Sequence, residues 1–311
     1  MPGRTLSIVA HLGVLVAGPV LLAGVINRTK SIWVGRRGVP LLQLAYDLIR
    51  LLRKRPVYSA TTTALFRTAP YVVLGTALLT ASMVPLVTAR APLSFRFDFV
   101  LVAYAWGLGR LFLMLGALDT GSAFEGMGAS REAKYSALVE PAFFLAFGAL
   151  AAVTGSRSLA DLLRFPVHSP AALFALASVV VALLVLLQVE SARIPVDDPA
   201  THLELTMIHE VMVLDHSGPD LAAIQYAAAL KLLAGAGLIA TLVNPIDAAS
   251  APGLYAATAL LFLLAIGVLI GTVESLMARL RMRALPQYTL GAIVAAALAL
   301  LANAWGSGGP R

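Results

Sequence analysis

Long apolar runs alternate with short polar stretches along most of this chain. A membrane-crossing helix needs roughly 20 mostly apolar residues. Eight runs meet that requirement: Leu6–Ile26, Thr68–Val87, Phe99–Leu118, Ser136–Val153, Ala171–Val189, Ala222–Val243, Leu254–Val273 and Tyr288–Ala304. The pattern predicts an all-α, polytopic integral membrane protein of about eight transmembrane helices. No linker is long enough to separate two domains and no internal repeat is visible. Residues 1–311 are therefore expected to form a single transmembrane helical domain. The first run is longer than a signal-peptide core and lacks a clear cleavage site, so it reads as retained.

The first polar stretch has a pattern of its own. From Gly38 to Lys54 the residues Gln43, Asp47, Arg50 and Lys54 share one helical face, with Leu44, Leu48, Leu51 and Leu52 on another, and Pro56 ends the run. This predicts an amphipathic helix in the first loop, lying in the headgroup region as an anchor or as a docking surface. The third loop, Leu118 to Glu132, is glycine-rich, which predicts tight turns. It lacks the Gly-Lys-Ser/Thr ending of a phosphate-binding loop.

Composition agrees with lipid as the solvent. The 311 residues are 59% hydrophobic and 13% charged, with a mean hydropathy of +0.86. The net charge of +7 comes from bases in loops, so it points to membrane orientation and not to nucleic acid. The first loop carries Arg28, Lys30, Arg36, Arg37, Arg50, Arg53, Lys54, Arg55 and Arg67. The third adds Arg131 and Lys134, the fifth Arg193, and the seventh Arg279, Arg281 and Arg283. The opposite side has Arg4, Arg90, Arg96, Arg157, Arg164 and Arg311. The positive-inside rule then places the odd loops in the cytoplasm and both termini outside, in a multi-pass protein of the cell (plasma or inner) membrane.

One loop concentrates the chemistry. Between Glu190 and Asp220 lie Glu190, Asp197, Asp198, Glu204, Glu210, Asp215 and Asp220, seven of the sixteen acids. Three of the five histidines are there too: His202, His209 and His216. Pro195 and Pro199 interrupt helix formation, so the stretch can fold back as a charged cluster of Glu190, Asp197 and Glu204 with Arg193 at the membrane surface. A solvated connection between two helices is the alternative. His209-Glu210 begins like a zinc-protease motif, but the second histidine is missing, Val213 standing in its place. The sevenfold histidine spacing is about 10 Å by helical rise, too wide for one ion. Cysteine is absent, which excludes disulfides and thiolate-held metals. Only His11 lies inside a run, so a bis-histidine haem is excluded as well. No cofactor is expected on this chain. Within the spans, Arg110 and Lys231 are the two bases, and Glu140, Glu190 and Glu274 lie at or near span ends. They mark either a proton path or interhelical pairing.

These residues carry a family resemblance. Arg37-Gly38-Val39-Pro40-Leu41-Leu42-Gln43 with Asp47 and Arg50 resembles the first loop of the membrane subunit joining the two arms of respiratory complex I, NADH dehydrogenase subunit 1. Asp119-Thr120-Gly121-Ser122, Gly128-Ala129-Ser130-Arg131-Glu132 and Val139-Glu140-Pro141 are similar to its relative, formate hydrogenlyase subunit 4. Glu190, Arg193, Pro195, Asp197 and Glu204 match the acidic loop of the whole family. The quinone-binding branch has acids where this chain has Ala200 and His202, a departure that favours the hydrogenase-type branch.

The resemblance implies a non-catalytic membrane-anchoring and coupling subunit of an oxidoreductase complex, with no redox centre of its own. Its implied partners are hydrogenase-like large and small subunits and an iron–sulfur subunit in the soluble arm, which hold the nickel–iron and iron–sulfur centres, and antiporter-like membrane subunits. Glu140, Glu190, Arg193, Asp197, Glu204, Arg110 and Lys231 are the expected coupling residues. Arg36, Arg37, Asp47, Arg50, Arg53, Asp119, Arg131 and Glu132 are the expected docking residues. A quinone-binding subunit of a complex-I-like NADH dehydrogenase and a free-standing secondary transporter are the alternatives.

Overall fold

The computed structural model describes residues 2–197 and 207–307. Among them every regular element is helical. In order they are α1 (Pro2–Trp33), α2 (Gln43–Leu52), α3 (Ala64–Met83), α4 (Asp98–Asp119), α5 (Ala123–Ser136), α6 (Val139–Thr154), the short α7 (Leu159–Leu162), α8 (Pro170–Glu190), α9 (Gly218–Leu242), α10 (Pro252–Leu276) and α11 (Leu285–Ser307). Eight segments are long and apolar enough to cross a membrane, α5 and α6 together making the fourth. The protein is a multi-pass membrane protein, as the apolar runs predict.

Helix ends follow local chemistry. Ser169 caps α8 by accepting from the Ala172 amide at 3.1 Å, with Pro170 at the first helical position. α3 begins at Ala64, four residues ahead of the predicted Thr68, because Thr63 caps it and Asp119 adds to the cap. The Asp119 carboxylate accepts from the Thr63 amide at 2.6 Å and the Phe66 amide at 3.2 Å. It ends at Met83 and not at Val87 because Pro85 disfavours helix at the residue before it.

The core centres on α9. Of its span window 78% is buried, against 33–44% in the other seven. Its Ala- and Gly-rich sequence lets neighbours approach closely. A Cβ on Gly235 would lie 2.5 Å from Leu187, and one on Gly237 would lie 2.3 Å from Leu86. α3 packs between α4 and α9, α8 against α11, and α1 against α10.

Two loop expectations need correction. The amphipathic helix is shorter than Gly38–Lys54. It starts at Gln43 because Pro40 keeps Val39 extended and because residue 41 is pressed onto α1: a Cβ on Gly24 would come within 2.1 Å of the Leu41 carbonyl oxygen. Its faces are as read, with Leu51 buried and Leu44 and Leu48 half-buried, whereas Leu52 is exposed. The glycine-rich third loop is mostly helix, not turns. Gly121 alone in it has positive φ, 72°. Gly128 lies in α5 and serves close approach: a Cβ there would sit 2.4 Å from Val211 and 2.9 Å from the Ile208 carbonyl oxygen.

Candidate functional site

α8 ends on Glu190, and this carboxylate meets two bases from the middle of other helices. Arg110 of α4 donates through Nη1 to Glu190 Oε1, and Lys231 of α9 donates through Nζ to Oε2. Arg110 also reaches Glu140 of α6, Nη2 to Oε1, at 3.4 Å. The Glu190 side chain is only 4% exposed. Arg110 lies about 18 Å along the α4 axis from its start, and Lys231 about 20 Å along α9 from Gly218, at 1.5 Å per residue. Both positions are near mid-helix. The node therefore lies inside the bundle, and the expected cluster is divided: Glu190 meets Arg110 and Lys231, whereas Arg193 and Asp197 pair elsewhere.

Much of the described chain after Glu190 is buried as well. Ile194, Val196, Met207, Ile208, Val211, Met212 and Val213 are all buried. Met212 and Val213 pack on Leu113, Ala117, Ala129 and Ile224, and Val196 and Ile208 on Tyr135 and Leu285. Residues 191–197 and 207–213 thus form a fold-back plug lined with apolar residues, and these described parts are not a solvated connection.

Two acids of that stretch, Asp197 and Asp220, have partners away from the node. Asp197, 1% exposed, accepts from the amides of Ile208 and His209 at 2.9 and 3.0 Å and pairs with Arg279 at 3.1 Å. Arg193 does not join Glu190. It pairs with Glu274 of α10 at 2.8 Å, and Lys30 of α1 takes the other oxygen of Glu274 at 2.9 Å. The Leu280 amide donates to the Pro195 carbonyl at 2.9 Å, so the segment after α10 straps the plug in place. Asp220 accepts from the Tyr58 and Tyr71 hydroxyls at 2.8 and 2.9 Å. Burial, with that bond, pushes the Tyr58 phenol up to about 12. His216 stacks on Phe66, with ring centroids 3.9 Å apart, and burial pushes it down to about 4. Glu204, with Asp198 and His202, lies outside the described residues.

A cavity of about 40 Å³ opens beside the node. Its lining includes Arg110, Glu132, Glu190, His209 and Lys231. At ~10–15 Å³ per water it holds a few molecules, and ligand pockets are about ten times larger. A smaller pocket shares Arg110, Glu132 and Ala192 with it and reaches Asp197 and Ile208. Glu132, expected at a docking surface, thus faces inward to the charge cluster. Asp119 is occupied in capping α3, and Arg131 donates to the Met207 carbonyl at 2.8 Å. Arg36, Arg37, Arg50 and Arg53 are exposed, and Asp47 is held within α2 by Gln43 and Arg50. Among the described residues no group of His, Asp or Glu is arranged to hold a metal.

The residues that sequence reasoning underweighted are Glu274, Arg279 and His209. Of these, Glu274 carries a legible signal, an acid directly after the apolar run Leu254–Val273. The roles of Arg279 and His209 appear only once the plug folds.

Fold and site together define a helical membrane protein with an internal ionic cluster under a folded-back loop. The chain belongs to the NADH dehydrogenase family, whose sequence profile matches residues 6–304. It is 31% identical over 286 residues to formate hydrogenlyase subunit 4 of Escherichia coli (strain K12), covering 89% of this chain and 91% of that protein. It is 30% identical over 231 residues to hydrogenase-4 component C of the same organism, covering 72% and 70%. A chain in the structure of the membrane-bound sulfane sulfur reductase, an archaeal respiratory membrane complex, shares the fold with a TM-score of 0.80 at 18% identity, over 97% of this chain and 99% of that one.

Proposed function

We propose that this chain is the membrane-anchoring and coupling subunit of a multi-subunit hydrogenase- or formate hydrogenlyase-like oxidoreductase. It acts as one transmembrane unit that links a redox arm to proton or ion movement in the membrane. The observation that carries this reading is the Arg110–Glu190–Lys231 node. Two cations near mid-helix that share the buried carboxylate at the end of α8 are costly in a bilayer and are kept where charge moves. Glu132 of α5 and Asp197 of the plug line a small pocket together with Arg110, and through it the plug would pass a change at the docked arm to the node. Carboxylates suit the task because neighbouring charge shifts their proton affinity by whole units.

The soluble arm would bring hydrogenase-like large and small subunits and an iron–sulfur subunit with the nickel–iron and iron–sulfur centres. Antiporter-like subunits would lie alongside in the membrane. The similarity to a "subunit" and a "component" over most of the chain supports a complex over a free-standing transporter. The water-sized cavity weighs against a quinone at the node. Purification of the tagged chain in mild detergent tests this: a redox arm should copurify, and recovery of the chain alone would overturn the assignment.

The positive-inside asymmetry supports cytoplasmic odd loops and termini outside, in the inner cell membrane. This cysteine-free chain makes the test simple. Leu214→Cys, at a 52% exposed position in the acidic loop, should resist an impermeant thiol reagent in intact cells and react in inverted vesicles. Ala249→Cys, exposed between α9 and α10, should do the reverse. The opposite pattern inverts the topology.

A further inference from the structure

The cavity beside Glu190 is lined by five titratable side chains among the described residues: Arg110, Glu132, Glu190, His209 and Lys231. Four of them lie within membrane-spanning segments. His209 alone lies outside, in the plug between α8 and α9. Its backbone is fixed, because its amide donates to Asp197 Oδ2 at 3.0 Å while Asp197 is held by Arg279. Its side chain is half-buried. One face thus belongs to the cavity, and the residue belongs to the loop side.

We propose that His209 is the proton-exchange residue through which the Glu190 cavity is filled and emptied from the loop side. This rests on the coupling reading above and names a residue for its entry step. The groups facing the ring are Glu210 beside it, Lys231 on α9, Asp197 in the plug, Glu190 on α8 and, across the cavity, Glu132 on α5. Burial pushes the imidazole below its ordinary value. Glu210, Asp197 and Glu190 draw it back up, while Lys231 adds to the lowering, and the net direction is down. The ring is therefore neutral near pH 7, with one nitrogen free to accept and the other carrying a proton. A proton from loop-side water binds the free nitrogen. The proton on the other nitrogen then leaves to a cavity water, which carries it to a carboxylate. The ring returns to its first tautomer before the next transfer. Only N–H and O–H bonds change, and no electron is moved.

The experiment uses the whole complex in sealed vesicles, reading arm turnover with artificial electron donors beside linked proton movement. His209→Gln should leave arm turnover within about twofold and lower linked proton movement at least tenfold, in line with general acid–base contributions of ~100-fold or more. In His209→Ala, added free imidazole should restore much of the loss. Proton movement at the wild-type level in both variants across pH overturns the proposal, and so does a loss that imidazole does not restore. If the histidine variants do not assemble, Ala228→Leu decides. It fills the cavity from α9 and keeps His209; an undiminished proton rate in that variant overturns the proposal. Absence of linked proton movement in the wild-type complex sinks the coupling reading and the relay with it. Wild-type movement that the variants retain sinks the relay alone.

Discussion

Glu190→Gln should lower linked proton movement at least tenfold and destabilise the membrane domain by about 3–5 kcal/mol, the usual cost of removing one partner of a buried ion pair. The amide keeps the shape, but it leaves the Arg110 and Lys231 cations facing one another without the carboxylate they share. The double variant Glu190→Gln/Lys231→Met separates stability from function. Removing the second cation restores charge balance, since Arg110 retains Glu140 at 3.4 Å. Most of the lost stability should therefore return, measured by denaturant unfolding in detergent, while proton movement stays low. Recovery of both together would make the node a structural tie. Full coupling in Glu190→Gln would move the role elsewhere, with Glu140 and Lys231 next in order.

Charge reversal to Glu at Arg36, Arg37, Arg50 and Arg53 together should weaken binding of the soluble arm at least roughly a hundredfold, because several like-sign contacts are reversed at one surface. All four side chains are exposed. The membrane domain should stay folded, since α2 is held by Leu51, Leu44 and Leu48 and the Asp47–Arg50 contact at 3.2 Å is a surface pair of small value. Wild-type association should fall as ionic strength rises, with a shallower fall in the variant. An arm that stays bound with unchanged salt sensitivity makes this basic face a lipid anchor only.

The spans were legible because apolar length is a one-dimensional property, and α2 because its polar and apolar positions repeat at helical spacing. The plug was not. Its acids at Glu190, Asp197, Glu210 and Asp215 mark it as polar, while its buried apolar residues, Ile194, Val196, Met207, Ile208, Val211, Met212 and Val213, are broken up by polar positions and never form a run. Arg193 shows the same limit. Glu190 is three residues away in sequence, but the turn at Ala192, with φ 47°, carries the arginine to Glu274 on α10. Ion-pair partners across a bundle are set by helix packing, which periodicity does not encode. The glycines of α5 misled for a related reason: Gly128 answers to the close approach of Val211 and Ile208, and not to a turn.

The place of Glu190 inside the bundle, beside a lysine about 20 Å along α9 from Gly218, has an electrical consequence. Whatever part of the transmembrane potential falls between the node and the loop-side water acts on any proton bound there. A full crossing is worth about 2.3 kcal/mol per charge per 100 mV. A proton bound halfway down feels about half of that, which changes its occupancy somewhat less than tenfold. On the coupling role proposed above, the proton affinity of the node is then no fixed property of its side chains. It would vary with membrane voltage, and the gradient would feed back on how readily the node is loaded.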